Sequence, residues 1–394
     1  MTIESPATPF DHQHFANPDP TFARLREEGP VHRIQTPDGY PIWLVTREAD
    51  VRAALADPRL ALGKAHAGDG YTGFSLPPAL DANLLNRDGA DHIRLRKLAA
   101  APFSARRAEA LRERVHTIAD ELADAIAERG NADLIAEFAL PLPLSVVGEL
   151  LGIPDADRRS FAEWTSSLLT PAHRGQVAES VREIHHLLLR LIESRRAEPG
   201  DDLLSAWITA RDEADRLSED ELISLAFLVL WAGIENVTHV IGHGTLLLLR
   251  EPETARALRD DPAGLATAVE EMLRYTVPPV VSIRRFARAE LEIGGVTIPA
   301  GHTVMLGLAS ANRDPARFTD PERFDPARTE NPHLAFGHGP HYCLGAPLAR
   351  IELTTAFDVL LRRFPALALA VPEADLRWRP SFRMRALVEL PVTV

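Results

Sequence analysis

The 394-residue chain has one cysteine, Cys343, which excludes an intramolecular disulfide. It has no surplus of basic charge: Lys and Arg total 43 against 56 Asp and Glu, a formal net charge of -13. A nucleic-acid surface needs to be basic, so that partner class is not expected, although a locally basic face can still dock an acidic protein. No apolar run reaches the length of a bilayer. The nearest, Leu222–Ile234, stops at Glu235 and reads as a buried helix. No leader with positive charge ahead of an apolar stretch opens the chain, since Met1–Asp19 is polar and Pro-rich. A cytoplasmic protein with no membrane association is therefore expected. Repeats and low-complexity linkers are missing as well. Length alone would allow two or three domains. The Pro/Gly stretches are short and read as turns, so one continuous domain over residues 1–394 is the expectation. Nor is there a flavin or nicotinamide fingerprint: Gly337-His338-Gly339 lacks the strand–turn–helix context.

What is present is an ordinary globular mixture, 45% apolar and 25% charged, patterned mostly as helix. Helices are expected at Thr21–Glu28, Arg47–Ala56, Asp91–Ala101, Ala105–Arg129, Leu134–Leu151, Asp155–Leu169, Gln176–Arg196 and Asp201–Thr209. Ser218 and Glu221 stand in a capping-box pattern. The helix they open runs to about Arg250, and its apolar residues surround nearly the whole circumference, so it must be buried through most of its length. Further helices are expected at Ala263–Tyr275, Leu306–Asn312 and Leu344–Arg363. Val31–Thr36 and Tyr40–Val45 read as a hairpin around Pro37-Asp38-Gly39. Val280–Phe286, Leu291–Ile293 and Val296–Ile298 read as strands, the last two around a Gly294-Gly295 turn. The tail Ala366–Val394 alternates and adds strands. Gly63–Asp88 has no period and reads as a long loop of the kind that covers ligand sites. Arg313–Arg328 reads as an irregular meander. The fold class is mainly α with a smaller β-rich part.

The segment Phe336–Gly345 reads FGHGPHYCLG. Its glycines let the backbone turn sharply and approach a flat cofactor closely. The helix that follows aims amide N–H groups at the sulfur and stabilises a thiolate, which can ligate haem iron. An isolated cysteine after a glycine turn is most simply a buried structural thiol. The surrounding pattern changes that reading. Phe336-x-x-Gly339-x-His341-x-Cys343-x-Gly345, extended by Ala346-Pro347-Leu348-Ala349-Arg350, resembles the haem loop of the cytochrome P-450 family in its bacterial branch. His341 stands where many members carry Arg, and either can donate to a haem propionate.

The resemblance implies the P-450 fold with its long central helix over the haem, haem b (iron protoporphyrin IX) as cofactor, and Cys343 as thiolate ligand of the iron. Phe336, Gly337, Gly345 and Ala349 fall at cofactor-contacting positions. His92 and Arg96, which alone would read as a solvated basic face, match propionate partners together with Arg285 and His341. Glu271 and Arg274, at a spacing that alone is an ordinary surface pair, match the family's Glu-x-x-Arg helix. Arg328 matches the third member of that structural triad.

The segment Ala232-Gly233-Ile234-Glu235-Asn236-Val237 interrupts an apolar buried helix with polar groups, which is costly unless they are used. The resemblance places it over the distal face of the haem. Gly233 then opens the helix for dioxygen and Glu235 takes the acidic position of a proton relay. Asn236 departs from the usual Thr, and Val237 from a common second hydroxyl. Asn can hydrogen-bond but has no single rotating O–H. Three outcomes are open: a substrate hydroxyl completes the relay, Asn236 orders a water itself, or the reaction needs less proton delivery, as oxidative coupling would.

Gly63–Asp88, Trp164–Gln176, the middle of the long helix, Val277–Ile283 and the Ser381–Phe382 turn are implied to line the substrate pocket. Its apolar candidates are Leu84, Leu85, Leu168, Leu169, Leu228, Ile234, Val280, Val281 and Phe382, although ordinary core is an equal reading of any one of them. Arg94, Arg96, Lys97, Arg106, Arg107 and Arg350 are expected to cluster on the cysteine side. There they would receive electrons from a small acidic ferredoxin, itself served by a ferredoxin reductase. The function implied is a monooxygenase that uses dioxygen to hydroxylate or epoxidise a mostly apolar small organic substrate, in specialised (secondary) metabolism. Oxidative C–C or C–O coupling or desaturation on the same scaffold is the alternative. A non-catalytic haem or ligand binder is opposed by intact Cys343, Glu235 and Gly233.

Overall fold

A computed structural model describes residues 8–68, 78–100, 103–169, 175–212 and 217–394. Its axis is the helix Glu219–Arg250, 32 residues long and hence about 48 Å. Ser218 Oγ accepts from the Glu221 N–H and the Glu221 carboxylate accepts from the Ser218 N–H, so the capping box forms as expected. Every residue from Val237 to Leu248 is buried. Two glycines let neighbours approach: a Cβ on Gly242 would lie 2.5 Å from Ile135, and one on Gly244 would lie 2.3 Å from Phe357. Among the described residues this is the one helix long and apolar enough to cross a membrane. Its apolar surface is taken up by helices Pro141–Leu150, Gln176–Ala197, Leu265–Thr276 and Ala346–Arg363. One apolar cluster packs its second half against Arg112–Ala127 and Ala346–Arg363. A second packs its first half against Asp155–Leu169 and Gln176–Ala197.

The β part is smaller. A five-stranded sheet runs in the order Val31–Gln35, Pro41–Val45, Thr303–Leu306, Arg285–Ala287, Leu60–Ala61. The expected hairpin pairs Val31 with Val45 and Ile34 with Ile42. Leu291–Ile293 pairs with Val296–Ile298 as expected. In the tail, Ala368–Leu369 and Pro391–Thr393 pair with each other, and the latter also pairs with Asn131–Asp133.

Several boundaries differ from the sequence reading. Ala105–Arg129 is two helices, Ala105–Ala110 and Arg112–Ala127. Leu134–Leu151 is a π-helical turn, Ile135–Ala139, followed by a helix that Pro141 starts, because proline suits the first turn and breaks an interior. Val280–Phe286 is a strand only at its end. Val280 and Val281 are apolar because they face the core, and this stretch is tied by single bonds to distant segments and not by a ladder, Val280 N–H to Arg383 O and Ser282 N–H to Leu306 O. Leu306 ends a strand, and the helix begins at Leu308. The described part of Gly63–Asp88 contains the turns Lys64–His66, Pro78–Asp81 and Leu84–Asn86. Helices His12–Ala16 and Pro252–Asp260 were not read from the sequence.

The Glu271, Arg274 and Arg328 side chains meet. Glu271 and Arg274 are fully buried and joined by two bonds of 2.7 Å. Arg328 Nε donates to Glu271 at 3.1 Å, Asn331 donates at 3.2 Å, and the Asp325 N–H donates at 3.0 Å. Arg274 also caps the carbonyls of Asn312, Pro321 and Arg323. The network binds the meander to the Leu265–Thr276 helix, with one carboxylate shared by two guanidinium groups whose other N–H groups are taken by backbone carbonyls, and such hydrogen bonding is the condition under which buried charges are tolerated. Glu271→Gln leaves two guanidinium groups under-paired and is expected to lose about 3–5 kcal/mol of stability, read as a lower midpoint in chemical unfolding.

Candidate functional site

The helix Ala346–Arg363 starts directly behind the cysteine loop, with Pro347 in its first turn. The loop is closed by the Cys343 N–H donating to Phe336 O at 2.8 Å and the Gly337 N–H donating to Leu334 O at 2.9 Å. Gly337 and Gly339 both have φ 73°, a left-handed backbone that favours glycine. A Cβ on Gly339 would also come within 3.0 Å of the Ala56 backbone. One on Gly345 would meet no atom within 4 Å, so the space beside it is open. The Cys343 side chain is accessible but crowded by protein. Burial pushes its thiol up. The amides of Gly345 and Ala346 and the charges of Arg96 and Arg350 pull the other way. A metal ion at the sulfur would complete that pull and deprotonate the thiol outright. Phe336 lies under the Arg350 guanidinium, 4.7 Å from ring centre to Cζ, and Ala349 donates its N–H to Gly345 O.

Four cationic or donor groups converge on this loop. His92, on helix Gly89–Ala100, lies with its ring 3.9 Å from that of His341. Arg96, one turn on, donates to Tyr342 O at 2.6 Å. Arg285 reaches in from its strand, 5% exposed, with one long bond to Leu60 O at 3.4 Å. Burial holds Arg285 down to about 10. Burial and then His92 and Arg285 hold His341 down to about 3. His92 is also lowered, by burial and by Arg96. The nearby carboxylate is Asp88, 4.0 Å from His341, and it already accepts from the Leu62 and Gly63 N–H groups. His92 Nε2 and Arg285 Nε are buried with no hydrogen-bond partner. Unpaired buried donors of this kind are expensive. A flat group carrying two carboxylates, with an atom for the thiolate to bind, fits this donor set: His92, Arg96, Arg285 and His341 would take the carboxylates and Cys343 the metal.

On the central helix, Glu235 accepts from Arg379 Nη1 at 3.1 Å, and its carboxylate lies 3.9 Å from His239 Nε2. Burial pushes Glu235 up. The neighbouring His239 ring and the Arg379 guanidinium outweigh it and hold the carboxyl below its ordinary value. Asn236 Oδ1 is buried and has no partner among the described residues. The helix is continuous through Gly233, where a Cβ would lie 3.0 Å from Val147, so close packing against the Pro141–Leu150 helix is itself a reason for glycine. His239 and Arg379 were missed in the sequence. His239 was findable, four residues from Glu235 on one helix face. Arg379 comes from a segment with no local signal.

Leu84, Leu168 and Ile234 sit in one apolar cluster with Leu228 against it. Val280 and Val281 sit in another, with Phe382 against it and stacked 5.3 Å from Phe10. Leu85 is half-buried. The Leu169 side chain lies outside the described residues, as do 69–77 and 170–174 of two expected pocket loops. A cavity of about 180 Å³ lies beside His239 and Arg379, and none of the apolar candidates lines it. Of the basic residues expected on the cysteine side, Arg94 is taken by Glu221 at 2.5 Å and Arg350 by Glu270 at 2.7 Å, because each has an acidic neighbour on an adjacent helix. Lys97, Arg106 and Arg107 are exposed.

Residues 265–375 match the family model described as Cytochrome P-450. Over 100% of both chains, the protein is 43% identical to mycinamicin IV hydroxylase/epoxidase of Micromonospora griseorubida. It is 44% identical to 6-deoxyerythronolide B hydroxylase of Saccharopolyspora erythraea, across 94% of this chain and 95% of that one. Among solved structures it is similar to the tirandamycin C-bound P-450 monooxygenase TamI, with TM-score 0.89, 41% identity and coverage of 98% and 99%. If Arg285 answers a cofactor carboxylate, Arg285→Leu removes a charge-assisted bond of about 1.5–3 kcal/mol. Haem transfer from the purified protein to an acceptor globin is then expected to run about ten- to a hundredfold faster.

Proposed function

The chain belongs to the cytochrome P-450 family and is a monooxygenase, and from that premise we propose that it holds haem b through the Cys343 thiolate and uses dioxygen to hydroxylate or epoxidise a mostly apolar organic molecule of secondary metabolism. One observation carries the cofactor reading: on the loop whose sulfur is backed by the Gly345 and Ala346 amides converge two buried side chains from other elements, His92 with an unpartnered Nε2 and Arg285 with an unpartnered Nε. The substrate class is supported by relatives named for mycinamicin IV, for 6-deoxyerythronolide B and for polyketide biosynthesis.

When bound, haem supplies the redox iron at which dioxygen is activated. The protein's own residues do the rest. The loop amides and Arg96 favour the thiolate over the thiol. His92, Arg96, Arg285 and His341 neutralise and orient the two propionates. Glu235, held as a carboxylate by Arg379, is the acidic group nearest the distal turn of the central helix and takes protons inward. Asn236 presents an acceptor oxygen in the next position, where it orders either a water or a donor on the substrate. Leu84, Leu168, Leu228 and Ile234 give the apolar wall on one side of that turn, and Val280, Val281 and Phe382 the wall on the other.

Asn236 also keeps a second reading, oxidative coupling or desaturation, because it lacks the rotating hydroxyl that a relay uses. We further propose that the enzyme works in the cytoplasm and takes electrons from a ferredoxin. Exposed Lys97, Arg106 and Arg107 support a basic docking face near the cysteine loop. With Arg106→Glu and Arg107→Glu together, reduction by ferredoxin is expected to slow severalfold at low salt and to lose its salt dependence. An unchanged rate and salt response would place docking elsewhere. The cofactor reading is tested by the visible spectrum of the reduced protein under carbon monoxide: thiolate ligation gives its characteristic band and Cys343→Ala abolishes it. Label from ¹⁸O₂ in the product then marks insertion, and an unlabelled coupled or desaturated product marks the second reading.

A further inference from the structure

The cavity of about 180 Å³ is lined by Ser166 and Ser167 of helix Asp155–Leu169, Thr238 and His239 of the central helix, and Arg379 and Val388 of the C-terminal segment. Val388, on its rim, is 37% exposed, and His239, on its inner wall, is 1% exposed. Arg379 Nη2 lies 2.7 Å from His239 Nε2. A guanidinium only donates, so Nε2 accepts, and His239 is a neutral imidazole with its proton on Nδ1. That Nδ1 is buried without a partner. Through Nη1 the same guanidinium donates to Glu235 Oε1. His239 Nε2 and Glu235 Oε1 are 3.9 Å apart, beyond hydrogen-bond reach. Arg379 therefore bridges an acid and a base that face each other across one helical turn, and it occupies the lone pair through which they would exchange a proton.

We propose that this cavity is the path by which solvent protons reach Glu235, that His239 carries them over the last step, and that Arg379 is the bolt on the path. The proposal rests on Glu235 being the acid of the site. With Arg379 swung aside, a hydronium ion in the cavity protonates His239. The imidazolium passes its Nε2 proton to the Glu235 carboxylate and returns to neutral. One proton has moved from solvent to Glu235 and no electrons have moved. His239 and Arg379 are positioning and relay groups, since they reach the reacting atoms only through Glu235.

The groups facing His239 suit this role. On its own helix are Glu235 and His243, whose ring stacks 6.2 Å away. From the C-terminal segment comes Arg379, with Arg385 acting on His243. The lining from Ile135, Leu140, Ser166 and Ser167 is apolar or hydroxyl. Burial and Arg379 lower His239, and Glu235 opposes them. Loss of Arg379 removes a repelling charge and frees Nε2, so protonation of His239 becomes easier.

The test uses the reduced, carbon monoxide-bound holoprotein with ¹⁵N-labelled histidine rings, the His239 signals being identified by their absence in His239→Gln. Wild type is expected to show a neutral Nδ1–H ring between about pH 5 and 8. In Arg379→Gln the ring is expected to titrate at least tenfold more readily within that range. An Nε2–H ring in the wild type, or an identical titration in the variant, overturns the proposal. A second measurement fills the cavity with Ser166→Leu and Ser167→Leu. Dioxygen uptake, driven by NADPH through a ferredoxin and its reductase, is expected to fall severalfold with a larger deuterium solvent isotope effect, while the carbon monoxide spectrum stays intact. An unchanged rate and isotope effect, alongside a rate lost in Glu235→Gln, would leave the acid in place and refute the route. An unchanged rate in Glu235→Gln would refute the reading of Glu235 itself.

Discussion

Around Cys343 cationic and donor groups outnumber the carboxylates, and buried side-chain nitrogens go without partners; Glu271 and Glu270 show the contrary case. Glu271 receives two arginines, an asparagine and a backbone amide. Glu270 is likewise used: burial works against it, but Arg350 and His333 hold it down to about 2. At the cysteine loop the balance fails, with His92, Arg96, Arg285 and His341 crowded on one acidic group that is already committed to backbone amides. An arginine at 5% exposure with an unpaired Nε is stable only if the surrounding fold over-determines it or a counter-charge arrives. That deficit gathers from three elements around the loop that carries the chain's one thiol, and it is the feature on which the proposed cofactor and its orientation rest.

The loop can sustain the deficit because it is wired to the balanced part of the interior. From the buried pair, Arg274 donates to Asn312 O. Asn312 Oδ1 accepts from the Leu334 N–H at 2.7 Å. Leu334 O accepts from Gly337, and Phe336 O accepts from Cys343. Each link is short and all but the first carry a backbone amide, so the backbone from which the Cys343 side chain projects is held in place. A site held this way keeps its geometry when the side chains around it carry strain, which is what pre-organised chemistry requires. The triad thus acts on the site at a distance of four hydrogen bonds without touching it.

Features written in short stretches of sequence were legible. The capping box at Ser218, the Gly-x-His-x-Cys-x-Gly spacing, the His92/Arg96 pair and the hairpin around Gly39 each depend on neighbours within a few residues. What was not legible depends on residues far apart. Asp88 clamping the Leu62 and Gly63 amides, Glu221 and Glu270 taking up Arg94 and Arg350, and Arg379 reaching the central helix from the tail all need the tertiary fold. Val280 and Val281 show the reverse error: an apolar β-branched run suggests a strand, but here burial alone demands those residues. The π-turn before Pro141 was hidden for a related reason, because a continuous apolar period crosses a break that only the proline marks.

Asn236 leaves a second unsatisfied group, this one on the central helix. Two residues on, Thr238 satisfies itself by donating to the carbonyl of Ile234 at 2.9 Å, the usual solution for a hydroxyl inside a helix. A threonine at 236 could do the same and leave its remaining lone pairs for water. An asparagine lacks a hydroxyl for that back-bond, and its buried oxygen is left seeking a donor from outside the helix. Leaving it unsatisfied costs about 1–3 kcal/mol, which is returned when a water or a substrate N–H or O–H settles against it. Asparagine at this position therefore leaves the turn with a hydrogen-bond demand that no described residue meets. Like the unpartnered nitrogens of His92 and Arg285, its Oδ1 is a buried polar atom that the fold by itself leaves unsatisfied.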